Sequence, residues 1–295
     1  MWTMKREYLI PVKPGFGGFD EPYENVDVVF LGVPLDVTSS YRSGYRFAPA
    51  RIREASANLE TYLPSLRLDV FERLHISDIG DIMIVPTDLN ATGERIISVL
   101  REIISSGKIP AVLGGEHTIT YFCMRAIGDA FLLQLDAHRD LREEYMGDRL
   151  CHATVIRRVM DFLPRERIIQ VGVRSCSKEE DEEFRDLPKT YSSEEVSRNP
   201  EKVAGDVERE IGDAPVYLSL DLDVLDPAYA PGVATPEPGG ISSSDLLRLL
   251  RKFGKLNLKG FDIVELTPPH DNSIAAFAAA RAAYEILGSI ASKKE

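Results

Sequence analysis

The chain has 295 residues, 44% of them hydrophobic and 28% charged, with a formal net charge of −12 at pH 7. That acidic balance leaves a nucleic-acid role little electrostatic support, while the apolar fraction is ample for a sizeable core. Three cysteines (Cys123, Cys151 and Cys176) with no CxxC pair argue against a disulfide framework and for a reducing compartment.

The N-terminal stretch MWTMKREYLIPVKPGFGG carries charges where a signal peptide needs an apolar run, and no 18-residue apolar span stands out. A cytoplasmic protein without a membrane segment is the expectation. Further along, short apolar runs alternate with stretches of helical spacing. Strands are expected at 26–33, 74–81, 109–115, 130–136, 167–173, 215–223 and 258–266. Helices are expected near 92–106, 118–127, 152–162, 200–211, 243–253 and 273–291, and Pro49 suits the first turn of another. Near-continuously apolar strands alternating with helices predict an α/β fold, with a mostly parallel sheet covered on both faces. No linker divides the chain, so residues 1–295 are expected to form one domain. The proline-rich 226–240 reads as an ordered loop over a site. The alanine-rich 273–291 reads as close packing on the sheet, with a subunit interface as the alternative.

Three expected strands end in metal-ligating side chains. AVLGGEHT ends in Glu116 and His117, LLQLDAHRD in Asp136, His138 and Asp140, and YLSLDLDVLD in Asp221 and Asp223. Ligands of open α/β sheets lie beyond the carboxyl ends of strands. On an extended chain, residues two apart share a side, so each set converges if its strand persists. Buried carboxylates need a partner or a cation. Two imidazoles and four aspartates, with no thiolate, suit Mn²⁺, Mg²⁺ or Fe²⁺ better than a structural zinc site. Four negative charges are neutralised by two divalent ions and not by one, which points to a dinuclear hydrolase.

GGEHT, DAHRD and SLDLDVLDPAYAPGVATPEPGG resemble the signature segments of the ureohydrolase (arginase/agmatinase) family. GVPLDVTSSYRSGYRFAPARIREAS and VELTPPHD resemble its first and last segments. The resemblance implies a three-layer α/β/α fold with an eight-stranded parallel sheet, two Mn²⁺ per subunit (with Fe²⁺ or Co²⁺ as alternatives), and a homo-oligomer, trimer or hexamer. It implies that His117, Asp136, Asp140 and Asp221 hold one ion. Asp136, His138, Asp221 and Asp223 would hold the other, with Asp136 and Asp221 bridging. A hydroxide between the ions, oriented by Asp140, would attack the guanidinium carbon. His152 matches the proton shuttle, Glu265 the carboxylate that pairs with the guanidinium, and Thr235 a hydrogen-bonding residue near the reacting centre. Cys151 stands where related agmatinases often have serine.

LREEYMGDRLCHA lacks the asparagine with which arginases grip arginine, and resembles agmatinases of prokaryotic type. Glu143, Glu144 and Asp148 offer negative charge for the far end of the substrate, which favours agmatine. Aminopropylagmatine, arginine and guanidinobutyrate are the alternatives, followed by a deacetylase-like amide substrate. His75 reads as structural, and His270 and Asp271 receive no role.

Overall fold

The computed structural model describes residues 6–19, 21–185 and 188–294. The first five residues of the N-terminal stretch read above lie outside these. The strands are β1 (Leu9–Ile10), β2 (Val28–Val33), β3 (Tyr62–Leu63), β4 (Leu68–Asp69), β5 (Ile76–Ile82), β6 (Ile109–Gly114), β7 (Phe131–Leu135), β8 (Ile168–Val173), β9 (Lys189–Ser192), β10 (Pro215–Asp221) and β11 (Asn257–Val264). The main sheet has nine strands in the order β1-β5-β2-β6-β11-β10-β7-β8-β9, and β3 and β4 pair separately. Eight strands of the main sheet run parallel; the ninth, two-residue β1, is an antiparallel edge on β5. The expected count of eight therefore misses only this edge strand.

Strand alternation feeds two cores. Val28 and Phe30 enter one apolar cluster, and Val29, Leu31 and Val33 enter the other, all fully buried. Helices Ala48–Ser56, Pro200–Ile211, Ser243–Phe253 and Ile274–Ala291 pack on the first face. Helices Leu89–Ser105, Ile119–Ile127 and Val155–Val159 cover the second, giving the expected three layers. The expected helix at 152–162 is a 3-10 turn, His152–Thr154, followed by a shorter α-helix. Four expected strands stop earlier than read, at Gly114, Leu135, Asp221 and Val264. The chemistry-bearing residues leave the sheet at these ends.

Ile274–Ala291 corrects one expectation. This 18-residue helix has mean hydropathy 1.3 and is long and apolar enough to cross a membrane. Yet 78% of it is buried inside the fold, where Ala275, Ala276, Ala279 and Ala280 pack with no exposed surface. Its alanines are core residues of the first face, as the close-packing reading expects.

Candidate active site

β6, β11, β10 and β7 are neighbours in the middle of the sheet, and their C-terminal ends deliver the candidate side chains to one place. After β6 the chain turns through Gly114 and Gly115. A Cβ on Gly115 would sit 2.0 Å from the Leu35 carbonyl oxygen, so only glycine allows this close approach. His117 follows, fully turned into the sheet top.

The residues after β7 do not continue as a strand. In an extended chain, alternate side chains stand roughly 6.6 Å apart along the strand. Here Asp140 adopts a left-handed backbone (φ 54°), and the turn carries Asp136 and Asp140 to the same imidazole. Convergence is thus achieved by a turn, not by strand alternation. Asp223 likewise lies in a 3-10 turn after β10. Glu265, with φ 70°, follows β11. Left-handed non-glycine residues cost energy and persist where surrounding packing enforces them.

Two groups result. His117 Nδ1 lies 3.1 Å from Asp136 Oδ2, 3.0 Å from Asp140 Oδ2 and 3.3 Å from Asp221 Oδ2. It is buried, and among the described residues it has no hydrogen-bond partner. A ring nitrogen surrounded by three carboxylate oxygens is the environment of a cation, and the oxygen-rich donor set fits a hard divalent ion. In the second group, His138 Nδ1 lies 2.9 Å from Asp223 Oδ2 and 3.6 Å from Asp136 Oδ1. Asp136 therefore gives one oxygen to each group. Asp221 reaches only the first group with Oδ2, while its Oδ1 accepts the Asp223 backbone N–H at 2.8 Å.

The titration behaviour follows from this crowding. Burial opposes a charged imidazole at His117 and at His138, yet the facing aspartates raise both well above the usual histidine range. Burial raises Asp140 to about 7, and Asp136 adds to the rise. Burial likewise pushes Asp221 well up, helped by Asp223 and Asp136. Carboxylates this close cannot all ionise unless positive charge joins them.

Glu265 is buried beside the same groups, and burial raises it to about 8. Its Oε1 accepts the His117 backbone N–H at 2.6 Å. His152 lies across the cavity, with Nδ1 3.3 Å from Thr38 Oγ1 and Nε2 3.2 Å from Ser40 Oγ. Burial, followed by the charges at His117 and His138, lowers it to about 4. Beside it, Cys151 leaves local hydrogen bonding intact, since its N–H donates to Thr154 Oγ1 at 3.0 Å. Thr235 lines the cavity, 3.5 Å from Asp223 Oδ2. Of the six candidate metal ligands, all but Asp136 line this cavity of about 200 Å³, together with His152, Thr235 and Glu265.

The structure gives several further residues roles that the sequence reading did not assign. Glu116, adjacent to His117, points away from the aspartates; its Oε2 accepts the backbone N–H groups of Val37 and Thr38 at 2.9 and 2.8 Å. It thereby pins the segment carrying Thr38 and Ser40. Gln134 donates to Asp136 Oδ2 at 2.6 Å and is itself held by Gln170. Asp271 caps the helix Ile274–Ala291 by accepting the N–H groups of Ala275 and Ala276. His75 is largely exposed and pairs with Glu21.

A parallel sheet covered on both faces, with this cluster at its central strand ends, matches one known class. A model of the Arginase family fits residues 26–288, and the chain belongs to that family. The solved structure of an agmatine ureohydrolase from Thermoplasma volcanium superposes with a TM-score of 0.85 at 40% identity, covering 91% of each chain. The mitochondrial guanidino acid hydrolase of Homo sapiens is 37% identical over 281 residues, 90% of this chain and 78% of that protein. An agmatinase of Bacillus subtilis is 37% identical over 257 residues, 85% of this chain and 87% of its own. Within the family, the chain is an agmatinase-like hydrolase acting on guanidino C–N bonds.

Proposed function

We propose that the protein is a dinuclear Mn²⁺ ureohydrolase that cleaves agmatine to putrescine and urea, a step of polyamine biosynthesis. The observation that carries the metal reading is the bare His117 Nδ1 among three carboxylates, with Asp136 turning its other oxygen to a second imidazole–carboxylate group. His117, Asp136, Asp140 and Asp221 would hold one ion; Asp136, His138 and Asp223 the other, with Asp221 beside it. Two such ions supply Lewis acidity and make water nucleophilic at neutral pH.

The chain's own residues do the rest. Glu265 is a buried carboxylate that, among the described residues, hydrogen-bonds no Arg or Lys side chain, and a planar guanidinium supplies the missing charge by two parallel N–H bonds. Docking there lowers the Glu265 pKa and orients the guanidinium carbon toward the aspartate groups. His152 is neutral at pH 7, so it first accepts a proton released in the reaction and then donates it to the departing amine. Thr38 and Ser40 hold its ring in place for both steps. Thr235 steadies Asp223 and the loop above it.

The acidic residues expected to receive the substrate's far end do not line the cavity. Glu143 is exposed and pairs with Arg149, Arg157 and Arg158, and those arginines hold it down at about 2. Glu144 and Asp148 are exposed as well. Agmatine thus rests on the family resemblance and not on these charges. A second reading, a guanidino acid, draws on Arg142, which lines the cavity with its guanidinium over Tyr145 at 5.2 Å, although Glu180 in the same lining stands 3.9 Å from its Nε.

Urea release from agmatine, aminopropylagmatine, arginine and guanidinobutyrate, offered in parallel to the Mn²⁺-loaded protein, tests the substrate. Preference for agmatine supports the first reading, preference for guanidinobutyrate the second. No urea from any guanidine sinks both and turns attention to amide substrates. A homo-oligomer belongs to the same proposal, supported by the exposed Tyr41 and Phe47.

A further inference from the structure

Behind the first ligand group lies a polar cluster that the mechanism above does not use. Ser219 on β10 and Asp262 on β11 are register partners, and Thr120 comes from the helix Ile119–Ile127. All three are fully buried. Ser219 Oγ donates to Asp262 Oδ1 at 2.7 Å, and Thr120 Oγ1 donates to Asp262 Oδ2 at 2.9 Å. His117 Nε2 lies 3.1 Å from Ser219 Oγ.

Proton counting fixes the direction of the last contact. Each hydroxyl owns one proton, and both protons are committed to the carboxylate. Ser219 can then only accept from His117, which places the ring proton on Nε2. In a neutral imidazole this leaves Nδ1 bare, and Nδ1 is the atom facing Asp136, Asp140 and Asp221. Without an acceptor-only group behind it, the Ser219 hydroxyl could turn and donate to Nε2. The ring proton would then move to Nδ1 and block the lone pair.

We propose that Asp262, acting through Ser219, is the positioning residue that holds His117 in the tautomer and orientation able to bind a divalent cation. The inference rests on the metal reading above and adds two residues to it. Backing groups of this kind typically change metal affinity 10- to 100-fold when removed. Asp262→Asn leaves one acceptor oxygen for two hydroxyl donors, Ser219 and Thr120, and sets an amide donor against one of them, which frees a hydroxyl proton in the cluster; Ser219→Ala removes the contact altogether.

Both variants are titrated with Mn²⁺ against a competing chelator. In Zn²⁺-loaded protein, chosen because the ion is diamagnetic, the His117 Nε2–H is followed by NMR. Wild type is expected to show a slowly exchanging, low-field Nε2–H signal. The variants are expected to lose it and to bind the tighter ion about 10- to 100-fold more weakly. If Asp262→Asn does not fold, Ser219→Ala carries the test alone. A folded variant with unchanged affinity, or a wild type lacking the signal, overturns the inference. A wild type that binds no Mn²⁺ overturns instead the metal reading beneath it.

Discussion

Glu116 offers the sharpest separation between holding the metals and holding the proton carrier. Its carboxylate accepts two backbone N–H bonds, from Val37 and Thr38, and burial raises its pKa. Glu116→Gln keeps the shape, and an amide oxygen in the place of Oε2 still accepts from both donors, now without charge. A charge-assisted hydrogen bond contributes about 1.5–3 kcal/mol and a neutral one about 0.5–1.5 kcal/mol. Two weakened bonds therefore remove about 2–3 kcal/mol, and relief of the buried charge offsets part of that. A net loss of about 1–2 kcal/mol corresponds to a fall of a few degrees in melting temperature. The larger effect falls on catalysis, because the released segment carries Thr38 and Ser40, the two hydroxyls on His152. Misplacing a reacting group by about 1 Å costs up to about 100-fold. The expected outcome is kcat reduced about 10- to 100-fold, with KM and ion content near wild type. Steady-state urea release, elemental analysis and thermal unfolding on one preparation measure all three. A Glu116→Gln protein that loses its ions would refute the reasoning, as would one with unchanged kcat.

Asp136→Asn puts an amide nitrogen where either His138 N–H or the Gln134 amide now donates, and strips one ligand oxygen from one group. The donor–donor conflict alone costs about 1–3 kcal/mol; retention of about two tightly held ions per chain, counted by elemental analysis, would contradict the bridging role. In metal-free protein, Asp140 is raised to about 7 and Glu265 to about 8, so the folded state binds more protons than the unfolded chain between pH 5 and 8. The raised His117 and His138 act in the same sense, and stability must fall as pH rises across that window. Thermal unfolding of chelator-treated protein is expected to show this fall and Mn²⁺ to flatten it; a melting temperature that climbs from pH 5 to pH 8 without metal would count against the cluster. Glu143→Gln, whose ion-pair partners among the described residues are Arg149, Arg157 and Arg158, none of them in the cavity lining, is expected to leave the ranking of substrates unchanged in the urea assay. A changed ranking would return the acidic loop to the substrate's far end.

Much of the fold was legible because parallel strands buried on both faces read as unbroken apolar runs, as VVFLGV of β2 does. β9, with the sequence KTYS, offers no such run and went unread. The metal-ligating residue types were visible, but the turn that joins them was not. Asp140 takes its left-handed backbone from tertiary packing, which no local preference announces. Thr38 and Ser40 stand more than a hundred positions before His152, so only the folded chain reveals the pairing. Glu143 shows the opposite failing. Its arginine partners, Arg149, Arg157 and Arg158, lie within 15 positions of it, and a count of acidic residues alone does not show that they take up its charge.

The central claim is that guanidine hydrolysis depends on two divalent ions held by these six residues. Metal-stripped protein, titrated with Mn²⁺ while ion content and urea release from agmatine and guanidinobutyrate are read on the same sample, tests it most directly. The expected result is no urea without metal and full activity at about two ions per chain. Urea release that survives complete removal of the ions, or that never appears at full occupancy, would contradict it.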